Sequence, residues 1–281
     1  MTATPVGIAG GGTMGAGIAH RLLVNGIGVV LVERDDVEAA NARDRVAASL
    51  RRAHQRGYLA DDVDDVLERL TTAGSLDALD GLGFVIEAVP EQPALKRDLL
   101  GRIEPVLADN AVLATNTSSL SIDGIAADLQ RPGRFCGMHF FNPVPASDLL
   151  EIVRGSATDA GTVAAAAELG ERLGLTTIEV GDAPGFATSR LGVALGLEAI
   201  RMVEDGVASA EDIDTAMRLG YKHPIGPLRL GDLVGLDVRL GIAEYLAAEL
   251  GPRFEPPQLL RDMVAAGKLG KKSGQGFFTW E

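Results

Sequence analysis

The chain has 281 residues, enough for one large domain or two smaller ones, and its 46% apolar and 23% charged residues are ordinary for a globular protein. A formal charge of −13 disfavours nucleic acid and anionic membrane surfaces as partners, and the single cysteine, Cys136, excludes an internal disulfide and a cysteine-cluster metal site. No apolar run approaches the roughly 18 residues of a spanning helix, so we expect no membrane anchor. We also expect no metal site.

The first predicted strand runs into a glycine cluster, which is followed by a helix-prone segment. Gly10, Gly12 and Gly15 have the G-x-G-x-x-G spacing of a dinucleotide-binding loop, in the strand–loop–helix context that this spacing requires. Glycines there permit a tight turn, a close approach of the backbone to a pyrophosphate, and a helix N-terminus that faces the phosphates. The next strand, residues 29–32, ends at Glu33, whose carboxylate can accept hydrogen bonds from an adenosine ribose. A glycine turn without a ligand is the weaker alternative.

Strands and helices alternate through the first two thirds of the chain. In chain order the pattern predicts helices over residues 36–56 and 60–70, a strand over 84–89, a helix over 94–107, strands over 111–115, 135–141 and 149–153, a helix over 162–173 and a strand over 176–180. This alternation predicts a Rossmann-type α/β fold, which is a doubly wound and mostly parallel sheet with helices on both faces. Because the first strand begins close to the N-terminus, we expect no signal peptide and a cytoplasmic protein.

The pattern changes near residue 184, beyond which only helices are predicted. They cover residues 186–205, 210–219, 228–250 and 258–266. The sequence therefore predicts two domains, a Rossmann-type domain of residues 1–183 and an all-α domain of residues 184–281. The first of these helices is apolar around much of its girth, which indicates either the centre of a helical bundle or a surface for a partner.

Polar side chains follow three predicted strands at their C-terminal ends, where open α/β sheets bind their ligands. They are Glu91 and Lys96 after one strand, residues 116–119 after the next, and His139 with Asn142 at a third. These groups are the candidates for chemistry beside the dinucleotide loop.

His139 lies in an apolar strand, where a histidine alone is more often a core residue than a catalyst. A proline-containing turn follows it and can return the chain so that Glu151 lies beside the imidazole. A carboxylate on Nδ1 fixes the tautomer, and Nε2 can then exchange a proton with a substrate. Next to a dinucleotide site, this pair indicates alcohol–ketone interconversion, in which the hydroxyl proton needs an acceptor as a hydride moves.

Eight motifs follow one another along the chain. They are GGGTMG at 10–15, EAVPE at 87–91, NTSSL at 116–120, HFFNPVP at 139–145, PGF at 184–186, HPIGP at 223–227, DLVGLD at 232–237 and GKKSGQGF at 270–277. In composition and order they resemble the 3-hydroxyacyl-CoA dehydrogenase family over nearly the whole chain, and the chain length resembles its bacterial 3-hydroxybutyryl-CoA dehydrogenase branch.

The resemblance implies NAD as the cofactor and a (3S)-3-hydroxyacyl-CoA, such as 3-hydroxybutyryl-CoA, with its 3-oxoacyl-CoA as the substrate pair. The implied catalytic set is His139 as general acid/base, Glu151 as its orienting partner, and Ser118 and Asn142 as hydrogen-bonding groups around the reacting oxygens. The domain of residues 1–183 would then bind NAD, and the helical domain would serve the substrate and dimerisation. We therefore expect a homodimer built through the helical domain.

Further contacts are implied for the two ligands. For NAD they are Gly10, Gly12, Thr13, Met14 and Gly15 in the loop, Glu33 at the ribose, and Glu91, Lys96, Ser118 and Lys272. For the substrate they are Ser118, Asn142 and Ser189, with Ser49 and Arg56 at coenzyme A. By themselves Arg51, Arg52 and Arg56 indicate a solvated helix face. Together with the resemblance, they supply the positive charge that a polyanionic coenzyme A needs on an acidic protein.

Three places depart from the family's usual residues. Glu33 replaces an aspartate and is followed by Arg34, so we favour NAD while some use of NADP stays open. Ser189 stands where asparagine is common, and Ser147 and Asp148 stand where many relatives have methionine and lysine. The first departure bears on the cofactor, and the others bear on the substrate.

Two other functions stay open from the sequence. One is a dehydrogenase of the same superfamily that acts on a free hydroxy acid or a sugar acid, and the other is a nucleotide-binding protein whose chemistry is vestigial. The basic end of helix 36–56 favours an acyl-CoA over a free acid. The intact set of His139, Glu151, Ser118 and Asn142 argues against a vestigial site.

Overall fold

Eight strands form one sheet in the first of two units of the chain. The computed structural model describes residues 4–280, with Asp182 the last residue of the first unit and Ala183 the first of the second. The strands are β1 (Val6–Ala9), β2 (Val29–Val32), β3 (Leu70–Ala73), β4 (Phe84–Glu87), β5 (Val112–Thr115), β6 (Phe135–Phe140), β7 (Leu149–Arg154) and β8 (Thr176–Gly181). Their order across the sheet is β3-β2-β1-β4-β5-β6-β7-β8.

Among these described strands, all neighbours are parallel except β6 and β7, which are antiparallel. The central strands are buried apolar runs, since every residue of β1 and of β5 is buried. Such runs are typical of parallel strands that helices cover on both faces. The sheet confirms the predicted Rossmann-type α/β fold.

Among residues 4–182, six α-helices belong to the first unit. They are α1 (Thr13–Val24), α2 (Asp36–Gln55), α3 (Val63–Leu67), α4 (Pro93–Ile103), α5 (Ile122–Ala126) and α6 (Ala160–Arg172). Helix α2 has a side-chain cap, because Asp35 accepts a hydrogen bond from the backbone N–H of Glu38. Helix α1 has none, because the residue at its N-cap is Gly12.

The structure corrects one prediction in the first unit and adds a helix that the sequence analysis does not predict. Residues 60–70 do not form one helix; the shorter α3 is followed by β3, which pairs with β2 at the edge of the sheet. Only Leu70 of the four residues in β3 is buried, so no apolar run marks this edge strand in the sequence. Helix α5 was not predicted, because five residues are too few to show a helical period.

The second unit is helical, as predicted. Its helices are α7 (Thr188–Glu204), α8 (Ala210–Gly220), α9 (Pro227–Val234), α10 (Leu236–Leu250) and α11 (Gln258–Ala265). The single helix predicted over residues 228–250 is wrong, because α9 and α10 are separated by Gly235. This glycine has a φ of 106°, in the left-handed region that interrupts a right-handed helix.

Helix α7 packs against the other four helices of its unit. Val193, Leu197 and Ile200 lie in the buried core, whereas Leu191 and Leu195 on another side are 71% and 37% exposed. Helix α7 is thus the centre of its bundle and also carries exposed apolar side chains. Among residues 4–280, no helix combines the length and the hydropathy that a membrane crossing requires.

Candidate active site

The loop between β1 and α1 is tightly built from glycine. Gly10 has a φ of 101°, and a Cβ at Gly15 would lie 1.8 Å from the carbonyl oxygen of Gly10. Thr13 and Met14 begin α1, and Gly12 supplies no side chain to cap them. The N–H groups of this first turn are therefore available to an anion, and the loop fits the pyrophosphate of a dinucleotide.

Glu33 follows β2 and is held beside this loop. Its Oε1 accepts a hydrogen bond from the N–H of Gly11 at 2.7 Å, and its Oε2 accepts one from the N–H of Arg34 at 3.2 Å. The guanidinium of Arg34 lies 3.0 Å from a carboxylate oxygen of Glu38 and 3.4 Å from one of Asp35. A fixed carboxylate thus lies next to the glycine loop, while the neighbouring arginine is paired with acids at the start of α2.

A cleft of about 710 Å³ extends from the glycine loop to the end of β4. Its lining includes Gly10, Glu33, Val89 and Leu95, a mixture of polar and apolar groups that suits a nucleotide. Cleft, loop and carboxylate together fit the adenosine half of NAD. In the part of the chain that the structure describes, no three His, Cys, Asp or Glu side chains form a group that could hold a metal ion.

The ammonium of Lys96 lies inside the first unit, and the predicted contact of Lys96 with NAD stays a prediction. The side chain is fully buried on α4, and Nζ donates to the two carboxylate oxygens of Glu87 at 2.9 and 3.1 Å. Nζ also donates to the carbonyl oxygens of Asn116, at 2.9 Å, and Val89, at 3.3 Å. In this structure Lys96 therefore joins the ends of β4 and β5 and does not line the cleft.

Glu87 is the first residue of the EAVPE motif, and the sequence analysis assigns it no contact with NAD or substrate. It ends β4, is fully buried, and accepts hydrogen bonds from Thr115 Oγ1 and from the N–H of Val89, both at 2.5 Å. Burial raises the pKa of Glu87, and the Lys96 ammonium opposes that rise together with these donors. The signal for Glu87 in the sequence is a single carboxylate that ends an apolar strand.

Glu91 and Ser118, both predicted to contact NAD, are hydrogen-bonded to each other. Oε1 of Glu91 accepts from the N–H of Ser118 at 2.9 Å, from Ser118 Oγ at 3.4 Å and from Thr117 Oγ1 at 2.5 Å. The other carboxylate oxygen of Glu91 lies 3.5 Å from Nζ of Lys96. The structure thus brings these two predicted residues together where β4 and β5 end.

His139 and Glu151 lie directly opposite each other on the antiparallel strands β6 and β7. Nδ1 of His139 is 2.6 Å from Oε2 of Glu151, and both side chains are buried. Nδ1 is thus the ring nitrogen that shares a hydrogen bond with the carboxylate. The structure brings the two residues together, and their part in catalysis stays a prediction.

Asn116 connects β5 to the strand that carries His139. Its Oδ1 accepts a hydrogen bond from the N–H of Phe140 at 3.0 Å, and its own N–H donates to the carbonyl oxygen of Glu87 at 2.7 Å. Asn142, predicted to lie near the reacting oxygens, is exposed in the turn after β6. The sequence indicates only that residues 116–119 are polar. The structure shows that Asn116 is the one whose side chain connects β5 to β6.

The predicted coenzyme A contacts lie on the C-terminal half of α2 and directly after it. Arg56 is exposed directly after the helix, and Oγ of the half-buried Ser49 lies 2.9 Å from Nδ1 of His20 on α1. Burial, and then the charges of Arg21 and Arg52, lower the pKa of His20 to about 4. The imidazole of His20 is therefore neutral at pH 7, and the positive charge at this end of α2 comes from its arginines.

Ser189 and Lys272 belong to the helical unit. Ser189 is the second residue of α7 and is half-buried. Lys272 follows α11 and forms an ion pair with Asp237 on α10, at 2.5 Å. Their contacts with substrate and NAD stay predictions.

Both units match models of one protein family. The model described as "3-hydroxyacyl-CoA dehydrogenase, NAD binding domain" matches residues 5–183. The model described as "3-hydroxyacyl-CoA dehydrogenase, C-terminal domain" matches residues 185–280. The two matches together cover nearly all of the chain.

Individual relatives are similar over their full length. The chain is 43% identical over 279 residues to the 3-hydroxybutyryl-CoA dehydrogenase of Mycobacterium tuberculosis, with 98% of each chain covered. It is 40% identical over 276 residues to the probable 3-hydroxybutyryl-CoA dehydrogenase of Bacillus subtilis, with 98% of this chain and 96% of the relative covered. The crystal structure of the (S)-3-hydroxybutyryl-CoA dehydrogenase from Ralstonia eutropha is similar with a TM-score of 0.94 and 42% identity over 99% of both chains.

The buried imidazole of His20 predicts a pH-dependent stability. Its pKa falls from 6.5 to about 4 on folding, so the unfolded chain binds more protons between these values. The free energy of unfolding therefore falls as the pH falls through this window. We expect His20→Gln, whose amide can still bond to Ser49, to flatten that fall in denaturant titrations at a series of pH values.

The control is His54→Gln, which changes an exposed histidine on α2 and should keep the wild-type pH dependence. An equally steep fall in His20→Gln would show that His20 is not its source.

Proposed function

Because the chain belongs to the 3-hydroxyacyl-CoA dehydrogenase family and is an NAD-dependent oxidoreductase, we propose that it catalyses the reversible oxidation of (3S)-3-hydroxybutyryl-CoA to the 3-oxoacyl-CoA. The observation that carries this proposal is the 2.6 Å contact between His139 and Glu151, in the unit that also contains the glycine loop. An acid/base pair and a dinucleotide loop on one sheet are what hydride exchange with an alcohol requires. The relatives' names support the choice of acyl chain.

His139 moves the proton of this reaction. In the oxidative direction its Nε2 takes the proton of the substrate hydroxyl while carbon 3 loses a hydride. NAD, when bound, supplies the hydride acceptor. Glu151 holds the proton on Nδ1, so that the ring keeps one tautomer and the imidazolium that forms lies beside a carboxylate. In the reverse direction Nε2 returns the proton to the ketone oxygen.

Ser118 and Asn142 bind the substrate oxygens next to His139. Support for Ser118 comes from its place after β5 and from Glu91, which fixes its backbone N–H. Support for Asn142 comes from its place in the turn after β6. A hydroxyl and an amide can each donate a hydrogen bond to the 3-oxygen in both of its oxidation states.

Glu33 favours NAD over NADP. A 2′-phosphate would meet its carboxylate, which the N–H of Gly11 holds in place at 2.7 Å. Arg34, the side chain that would attract such a phosphate, already pairs with Glu38 at 3.0 Å. Both contacts support a preference for the unphosphorylated cofactor.

The exposed arginines of α2 favour an acyl-CoA over a free hydroxy acid or sugar acid. Arg51 and Arg52 near its end and Arg56 directly after it concentrate positive charge on a chain whose net charge is −13. Guanidinium groups are strong partners for the phosphates of coenzyme A, which a free acid lacks. The buried pair of His139 and Glu151 likewise supports an active enzyme over a vestigial one.

A homodimer built through the helical unit and a cytoplasmic location are part of the proposal. Leu191 and Leu195 on α7, with Val238 on α10, leave apolar surface for a second copy. The single cysteine, Cys136, is a buried thiol, which suits a reducing compartment.

Reduction of acetoacetyl-CoA, followed by the loss of NADH absorbance, tests the proposed function. We expect turnover with NADH and a much slower reaction with NADPH, because Glu33 repels the 2′-phosphate. His139→Ala should lower kcat by about 10²–10⁴-fold, the usual contribution of a general acid/base, with little change in NADH affinity.

The control for that variant is His54→Ala, which removes an exposed histidine and should keep the wild-type kcat. Near-normal turnover by His139→Ala would remove His139 from the mechanism. Oxidation of a free 3-hydroxy acid, with no turnover of acetoacetyl-CoA, would show that the acyl-CoA substrate is wrong.

Light scattering tests the proposed dimer. We expect the wild-type protein to have twice the mass of one chain, and the double substitution Leu191→Asp with Leu195→Asp to shift it toward a monomer, because unpaired charges are costly in an apolar contact. Val37→Asp, on an exposed position of the first unit, should leave the dimer intact. A monomeric wild-type protein would contradict the proposal.

A further inference from the structure

We propose that His20 is a positioning residue of the coenzyme A site, which holds the hydroxyl of Ser49 so that this hydroxyl donates a hydrogen bond to a phosphate of the substrate. The proposal deepens the function proposed above and rests on it for the acyl-CoA substrate. Family resemblance implies a coenzyme A contact for Ser49 and none for His20. The proposal thus assigns a task to a buried histidine that the chemistry of the reaction does not itself use.

The first observation is a hydrogen bond between helices α1 and α2. Nδ1 of His20 on α1 lies 2.9 Å from Oγ of Ser49 on α2. His20 is buried, with 4% of its surface exposed, whereas Ser49 is half-buried. The imidazole is therefore fixed in the core, and the serine that it contacts lies at the surface.

The second observation is that Ser49 shares a face of α2 with two arginines. Ser49, Arg52 and Arg56 follow one another at intervals of three and four residues, a spacing that places side chains on one face of a helix. Arg56 directly follows α2 and keeps a right-handed helical backbone. Burial lowers the pKa of His20 most, followed by the charges of Arg21 and Arg52. The guanidinium of Arg52 therefore lies near the hydrogen-bonded pair.

The third observation is that the arginines at this end of α2 have no acidic partner. The ion pair of Arg45 with Glu38 lies nearer the start of the helix. Among residues 4–280, no carboxylate forms an ion pair with the side chains that carry the charge here, which are those of Arg51, Arg52 and Arg56. On a chain with a net charge of −13, three unpaired guanidinium groups provide a place for a polyanion.

A phosphate at this place sets the direction of the hydrogen bonds. Phosphate oxygens accept, so the hydroxyl of Ser49 donates its one hydrogen to the phosphate, and Oγ accepts from His20. Because burial and the neighbouring charges lower the pKa of His20 to about 4, its imidazole is neutral at pH 7 and carries one ring proton. The proposed arrangement requires this proton on Nδ1. The chain of donors then runs from Nδ1 through Oγ to the phosphate.

Kinetics with complete and truncated substrates test this proposal. We expect His20→Leu to raise KM for acetoacetyl-CoA roughly 3–10-fold, the effect of losing one positioned hydrogen bond, while kcat changes less than about twofold. KM for acetoacetyl-pantetheine, which has no phosphate, should not change. His20→Gln should restore the wild-type KM for acetoacetyl-CoA, because its side-chain amide can donate to Ser49.

The matched control is His54→Leu, which removes an exposed histidine from the same half of α2 and should keep both KM values. Acetoacetyl-3′-dephospho-CoA separates the two phosphate groups of the substrate. Loss of the His20→Leu effect with this compound assigns the 3′-phosphate to Ser49, and persistence of the effect assigns the diphosphate.

A double-mutant cycle separates positioning from a role in folding. Ser49→Ala removes the hydroxyl through which His20 acts and should itself raise KM for acetoacetyl-CoA. Adding His20→Leu to that variant should change KM no further. An additive second rise, or an equal rise of KM for acetoacetyl-pantetheine, would show that His20 acts on the fold and would overturn the proposal.

The ring ¹⁵N signals of His20 keep the test decisive if His20→Leu folds poorly, because they are measured in the wild-type protein. The signals are assigned by loss in His20→Gln. With saturating coenzyme A we expect the proton on Nδ1. A proton on Nε2 would make Ser49 the donor to the imidazole, so that its hydroxyl could not donate to a phosphate, and would overturn the proposal. A wild-type KM for acetoacetyl-CoA in a folded His20→Leu variant would also overturn it.

Failure of the proposed function itself has a different signature. In that case the wild-type protein does not reduce acetoacetyl-CoA with NADH. Calorimetric titration with coenzyme A alone then decides the role of His20. Weaker binding by His20→Leu than by the wild-type protein would support that role, and equal binding or none by the two proteins would overturn it.

Discussion

The pairing register of β6 and β7 is the constraint on which the candidate site depends. Among the strands that the structure describes, only these two neighbours are antiparallel, and their register sets His139 directly opposite Glu151. Side chains alternate between the two faces of a strand, so a slip of one residue would place the imidazole and the carboxylate on opposite faces. The hydrogen bond of 2.6 Å between two buried side chains exists only in the observed register. Asn116, which accepts from the N–H of Phe140, ties that register to the parallel part of the sheet.

The parallel part of the sheet brings the other functional groups to the same edge. Strands β2, β1, β4, β5 and β6 are neighbours in that order, about 4.8 Å apart, and their carboxyl ends lie side by side. The polar groups at this edge lie in the same order as the strands. They are Glu33, the glycine loop, the buried pair of Glu87 and Lys96, the loop that contains Ser118, and His139. In the proposed function, this order runs from the group that binds the adenosine ribose to the group that exchanges the proton. An extended dinucleotide and a hydroxyl substrate fit such a line.

Much of this site could be predicted from the sequence, because apolar strands that end in polar residues mark the edge where ligands bind. The glycine spacing, Glu33 and the proximity of Glu151 to His139 all follow from such local patterns. The burial of Lys96 could not be predicted, because it depends on contacts with Glu87 and Asn116 at two strand ends. Strand β3 and the break at Gly235 were missed for a related reason: a half-polar edge strand has no apolar run, and a glycine inside a helical pattern does not show its φ of 106°.

The most direct test of the central claim is the tautomer of His139, measured from the ring ¹⁵N signals of the neutral imidazole in protein labelled at its four histidines. The signals are assigned by loss in His139→Ala. We expect the proton on Nδ1 in the wild-type protein, held by Glu151, and loss of that preference in Glu151→Ala. A proton on Nε2 in the wild-type protein, or the same tautomer with and without Glu151, would contradict the account.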